Sequence, residues 1–292
     1  MNIIIAIIAF VAIFFALYCC VSFVVEYKKK INDANETHSV LNSYNELMKS
    51  QSDENLNEVY VLIDEVPAKN CEYILKKNKE LIKQLVWSVG MSDDDIDRYL
   101  MPILKKIAKL EHLIPAKNVN FYKEQDCLFS KSILLAIRAV QNSDRKVFHY
   151  SDWTPAQRYH AKNRVRLAVA IAALCCSIYK VFCNITVCAK TNEKILWKPE
   201  NEYLIDFLRR NKLNSYVIKF KNNVDYKADV SLKYMHLIVD NLTLNYISQC
   251  NLKIIVSDME NAIKYMNSPK GGLMGDILYN AYISVFEESE EE

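Results

Sequence analysis

Apolar residues recur at helical spacing along most of the chain. Ile74, Leu75, Leu81, Ile82, Leu85, Val86 and Val89 form one such stripe, which predicts a helix over residues 68–89 that stops at Gly90. Ser92 predicts the cap of the next helix, with Asp93, Asp94 and Asp95 in its first turn, where the helix dipole favours anions. Pro102 predicts a kink or a boundary in that helix. A loop over residues 115–125 then leads into a helix over 127–141. Thr154-Pro155 is a cap followed by proline at the first helical position. It opens a long helix that turns fully apolar from Leu167, as a helix at the centre of a fold must. Extended structure is expected over 59–67 and in a small hairpin over 185–197, turning near Thr191-Asn192, with a further helix over 201–211. The expected fold is all-α with a small β-hairpin.

One apolar run differs from these amphipathic stripes. Residues 3–25, IIIAIIAFVAIFFALYCCVSFVV, carry no charge and are long enough to cross a bilayer as a helix. Lys28, Lys29 and Lys30 follow it, and no basic residue precedes it. The positive-inside bias then orients the amino terminus outward and the rest of the chain toward the cytoplasm. The expected organisation is an anchor with its basic flank (1–30), a polar tether (31–57), a helical domain (58–286) and an acidic tail (287–292).

Composition narrows the chemistry. Four glycines in 292 residues favour helices over tight-turned strands. Nine cysteines without a C-x-x-C pair give neither a zinc signature nor a disulfide framework. The five histidines (His38, His112, His149, His160, His236) show no H-x-x-x-H spacing and no His-Asp neighbours. The formal charge is +2 although five glutamates crowd the last six residues, so the body is mildly basic. Among its basic clusters, Arg158, Lys162, Arg164 and Arg166 combine with Tyr159 as the best candidate for contact with DNA phosphates.

Two segments carry a family resemblance. Residues 114–131, IPAKNVNFYKEQDCLFSK, match without a gap the pattern L-P-A-S-E-N-x-H-H-x-G-P-G-G-L-F-x-H, and residues 172–180, AALCCSIYK, match A-A-L-L-H-D-I-G-K. Both patterns belong to the MobH (TraI-like) conjugative relaxases, which the chain resembles. Trp197-Lys198-Pro199 is similar to that family's W-N-P turn, and Ala281 and Tyr282 to its A-D-x-x-S segment. The resemblance implies a helical core of the HD-hydrolase type. In that core an adjacent His-Asp pair binds divalent ions that activate water against a phosphate.

What fills the ligand positions departs from the family. The paired histidines fall on Phe121 and Tyr122, the next helix histidine on Lys131, the His-Asp pair on Cys176 and Ser177, and the last aspartate on Tyr282. Only Lys180 is retained. The expectation is therefore a catalytically degenerate relative with no metal and no other cofactor, held at the bacterial inner membrane. The partners that the resemblance implies are the conjugation machinery, an active relaxase or DNA; no small-molecule substrate is evident. One alternative is a nicking enzyme in which Tyr122 attacks the phosphate and Lys131 and Lys180 clamp its charge. Another is a membrane-anchored helical protein unrelated to conjugation.

Overall fold

The computed structural model describes residues 60–63, 71–116, 127–146, 148, 153–190, 192–220, 228–249, 252–266 and 268–287. The expected anchor, its basic flank and the polar tether lie outside the described residues, as does the end of the acidic tail. By its internal contacts the chain divides into residues 1–57 and a second compact unit from Glu58 onward.

Local signals account for most helix ends. The first helical stripe is two helices, not one: α1 (Cys71–Lys77) and α2 (Lys79–Val89). Asn78 interrupts them. Its side-chain amide donates to the Ile74 carbonyl at 2.9 Å, while its Oδ1 accepts from Ser130 Oγ at 2.7 Å. Gly90 ends α2 with φ at +69°, a conformation that favours glycine, and its N–H bonds the Val86 carbonyl. Ser92 caps α3 (Asp93–Asp95) by accepting from the Asp95 N–H. A π turn (Ile96–Leu100) follows, and α4 (Met101–Glu111) restarts with Pro102 in its first turn, where the missing N–H costs nothing.

Cys127 precedes α5 (Leu128–Ser143). Thr154 and Gln157 form a reciprocal capping box at the start of α6 (Pro155–Phe182). The two helices run antiparallel, because Ser132 near the start of α5 meets Ser177 near the end of α6, and Asp144 just past α5 pairs with Arg166. From Leu167 to Tyr179 every residue of α6 is buried, whatever its helical angle. Although α6 is long and apolar enough to cross a membrane, 89 % of its apolar stretch is covered by the rest of the protein, so it is the core helix.

The fold-class expectation needs one correction. The hairpin is present as β2 (Ile185–Ala189) and β3 (Asn192–Leu196), but it is half of a four-stranded sheet. After α7 (Leu204–Arg210), β4 (Tyr216–Phe220) pairs with β2, and β1 (Tyr60–Ile63) pairs with the other edge of β4. The strand order is β1-β4-β2-β3, with each pair antiparallel. Tyr216, Ile218 and Phe220 alternate inward along β4. The remaining helices are α8 (Ala228–Ile238), α9 (Asn241–Ser248), α10 (Lys253–Tyr265) and α11 (Gly272–Tyr282). Helices α8, α9 and α10 pack on α6, and α11 packs on α5 and α10.

A core built around one enclosed helix predicts a steep response there. Leu174→Ala is expected to cost about 2–5 kcal/mol, since Leu174 is fully buried and its neighbours are helices that cannot collapse into the gap. A urea titration should show a lower midpoint with unchanged slope.

Candidate functional site

Of the positions that the family resemblance singles out, Ser177 and Lys180 on α6 contact α5 and α11 respectively. Ser177 Oγ lies 2.7 Å from Ser132 Oγ, the residue after Lys131. One turn after Ser177, the Lys180 ammonium sits 3.7 Å from the centroid of the Tyr282 ring. Tyr282 stacks in turn on Phe286, with ring centroids 4.7 Å apart. Phe121 and Tyr122 lie outside the described residues. On either side of them, Pro115 and Cys127 form a bridge and the Leu128 N–H bonds the Ile114 carbonyl.

Beneath these positions lies a buried polar chain that sequence reasoning missed. Glu111, the last residue of α4, is wholly inaccessible, and its Oε1 lies 2.9 Å from Ser132 Oγ. Ser132 continues to Ser177, whose Oγ is also 2.8 Å from the Leu174 carbonyl. Desolvation raises the Glu111 carboxyl well above its ordinary value, and the Ser132 hydrogen bond offsets this only in part. Ser132 Oγ donates to Glu111 Oε1, and Ser177 Oγ has one proton to share between Ser132 Oγ and the Leu174 carbonyl. Glu111 Oε2 is buried with no partner among the described residues. The signal was readable: Glu111 follows Leu104, Ile107 and Ala108 at helical spacing, on the apolar face of α4.

His112, next in the chain, adopts φ +47° and ψ −118°, which is strained for a side chain with a Cβ. The turn sends Glu111 toward α5, while the His112 ring meets the Tyr216 hydroxyl at 3.0 Å on β4. Burial pushes that tyrosine's acidity far down. One dipeptide thus links the sheet to the helical core.

A divalent metal does not fit this donor set. The chain offers two neutral hydroxyls and one carboxyl that burial pushes toward its neutral form, whereas such ions favour clusters of carboxylates, imidazoles or thiolates. Cys176 faces elsewhere. Its thiol lies 4.0 Å from the Ile263 carbonyl on α10, and burial pushes it up to about 12 despite nearby Lys180. Burial also raises Cys127 and Cys175. No group of three or more potential metal-ligating side chains occurs among the described residues.

The four basic residues read from the sequence divide into two pairs. Arg164 is committed within the fold: it donates to the Tyr246 carbonyl at 2.9 Å, to the His160 carbonyl and to Gln249, with its guanidinium over the Tyr246 ring. Arg166 pairs with Asp144 at 2.7 Å. Arg158 and Lys162 stand exposed on α6.

The fold is a mostly helical domain with a four-stranded sheet, and a buried hydrogen-bonded chain joins Glu111, Ser132 and Ser177. A family model described as TraI_2, a putative helicase, matches residues 66–282. The chain belongs to this TraI-like family. No curated protein matches it.

Two predictions follow from this geometry. Burial raises the Glu111 carboxyl well above the ordinary value of 4.5 that holds in the unfolded chain. Stability from this group is therefore complete below that pH and declines as pH rises toward the folded value. Glu111→Gln should flatten the slope of Tm against pH between about pH 5 and 8. Arg164→Ala should lower stability by about 1–3 kcal/mol through its lost charged hydrogen bonds, while Arg158→Ala leaves stability unchanged within about 0.5 kcal/mol. Chemical denaturation of the two variants separates a structural arginine from a surface one.

Proposed function

We propose that this protein is a membrane-anchored member of the TraI-like family that serves bacterial conjugative DNA transfer by binding and assembly, without cutting DNA. The observation that carries this reading is the Glu111–Ser132–Ser177 chain. Ser177 and Ser132, a neutral hydrogen-bonded pair, stand at and beside positions where the family resemblance expects charged metal ligands. Hydrolysis of a phosphodiester by a metal centre needs an ion held at an open position. A buried serine pair and a carboxyl that burial pushes toward its neutral form supply no such position.

The tyrosine-nucleophile alternative is weakened at its charge clamp. Lys180, which would neutralise the attacked phosphate, lies over the Tyr282 ring. DNA contact along α6 would rest on Arg158 and Lys162, since Arg164 and Arg166 are engaged within the fold. The anchor reading rests on the uncharged run 3–25 and the lysines after it. Its expected partners are transfer proteins at the inner membrane, including an active relaxase.

The test uses the full chain purified in detergent. Metal analysis should find no stoichiometric Mn, Fe or Mg, and supercoiled plasmid bearing a transfer origin should stay intact with each metal added. Stoichiometric metal together with metal-dependent nicking would overturn the proposal. Nicking that persists with chelator and is lost in Tyr122→Phe would replace it with the tyrosine mechanism.

A further inference from the structure

One end of the helical domain presents two aromatic side chains to solvent. Trp87, in the last turn of α2, is 80 % exposed, and Tyr159, in the first turn of α6, is 82 % exposed. Neither has a packing role that explains its size. Trp87 stands on the face of α2 opposite Ile82, Leu85 and Val89, which are the residues that face buries. Arg166 ties the two helices together here. Its guanidinium lies 3.0 Å from where a Cβ on Gly90 would stand, three residues beyond Trp87, and it pairs with Asp144 at the end of α5. Along α6, Tyr159, Lys162 and Arg166 recur on one helical stripe. Arg145 and Lys146, just after Asp144, are exposed, as are Arg158 and Lys162. Asp144, the acid among them, is neutralised by Arg166.

We propose that this end of the domain docks on the surface of an anionic bilayer, with Trp87 and Tyr159 at the headgroup level. Amphipathic aromatic rings favour the membrane–water interface, and each cation beside an anionic leaflet adds attraction. The distribution of charge favours lipid over nucleic acid. Geometric recognition of a phosphate backbone uses guanidinium forks, and two of the three arginines on this stretch of α6 are occupied within the fold. Asp93, Asp94 and Asp97 follow Gly90 and are exposed, so the attraction to an anionic surface rests on Arg145, Lys146, Arg158 and Lys162. A fluid lipid surface needs only point charges and interfacial rings. The inference rests on the anchor reading of residues 3–25, because weak docking becomes strong when the same chain is already held at the membrane.

Trp87 provides its own probe. The chain has three tryptophans, and Trp153 and Trp197 are buried, so a response of tryptophan emission to the surroundings belongs to Trp87. Full-length protein is reconstituted into phosphatidylcholine vesicles with or without about one-third phosphatidylglycerol, and flotation first checks incorporation. In the anionic vesicles, Trp87 emission should shift to the blue and become protected from acrylamide. Trp87→Phe should abolish this signal. Arg158→Gln with Lys162→Gln should weaken docking about thirtyfold, the effect of two cations beside an anionic surface. Protein that fails to float overturns the anchor reading and this inference with it. Protein that floats, but whose Trp87 emission is the same in both lipids, overturns the docking inference alone. An unchanged emission in lipid combined with quenching by a single-stranded oligonucleotide assigns the surface to nucleic acid instead.

Discussion

A helix enclosed on every side tolerates no unpaired charge, and this constraint governs the whole domain. From Leu167 to Tyr179, α6 is packed between α5, α8, α9 and α10 with no residue facing water. An isolated carboxylate in such surroundings neutralises or destabilises the fold. Serine at position 177 is compatible with the enclosure because its one proton and its lone pairs are satisfied within the helix and by Ser132. Charge reappears on α6 only at its two boundaries: Arg166 reaches Asp144 and Lys180 reaches an aromatic face.

The same constraint acts on Glu111, the acid at the end of α4, which burial pushes toward its neutral form. Its hydrogen-bonded chain joins α4, α5 and α6, which are far apart in sequence, and the strained backbone at His112 extends the connection to the sheet. The arrangement carries a cost in the unpaired Oε2. A network of this kind fixes the relative positions of its elements more than it adds to their stability.

Much of the helical framework was legible because its signals are local. Thr154-Pro155, Ser92 and Gly90 each mark a boundary through the backbone conformation that the residue itself prefers. The break at Asn78 was not legible, since Asn78 also answers to Ser130, 52 residues away. Nor was β4: its alternation spans five residues and acquires meaning only through pairing with β1 and β2. At the site, the motif resemblance singled out Ser177, but not that Glu111 reaches its partner Ser132 from another helix. The basic run on α6 was visible as a run. Its division into structural and exposed residues depended on Tyr246, Gln249 and Asp144, partners that no local pattern announces.

The enclosed core and the exposed aromatic end are connected through Arg166. Because α6 is immobilised along its apolar length, the first turns of the helix project from a rigid base, and Arg166 holds α5 and the end of α2 against them. Trp87 and Tyr159 are thereby presented in one fixed relation before any partner arrives. Preorganisation of this kind lowers the entropic cost of binding, which is largest for surfaces assembled from separate segments. The packing that encloses α6 is thus also what fixes the base from which its exposed first turns project.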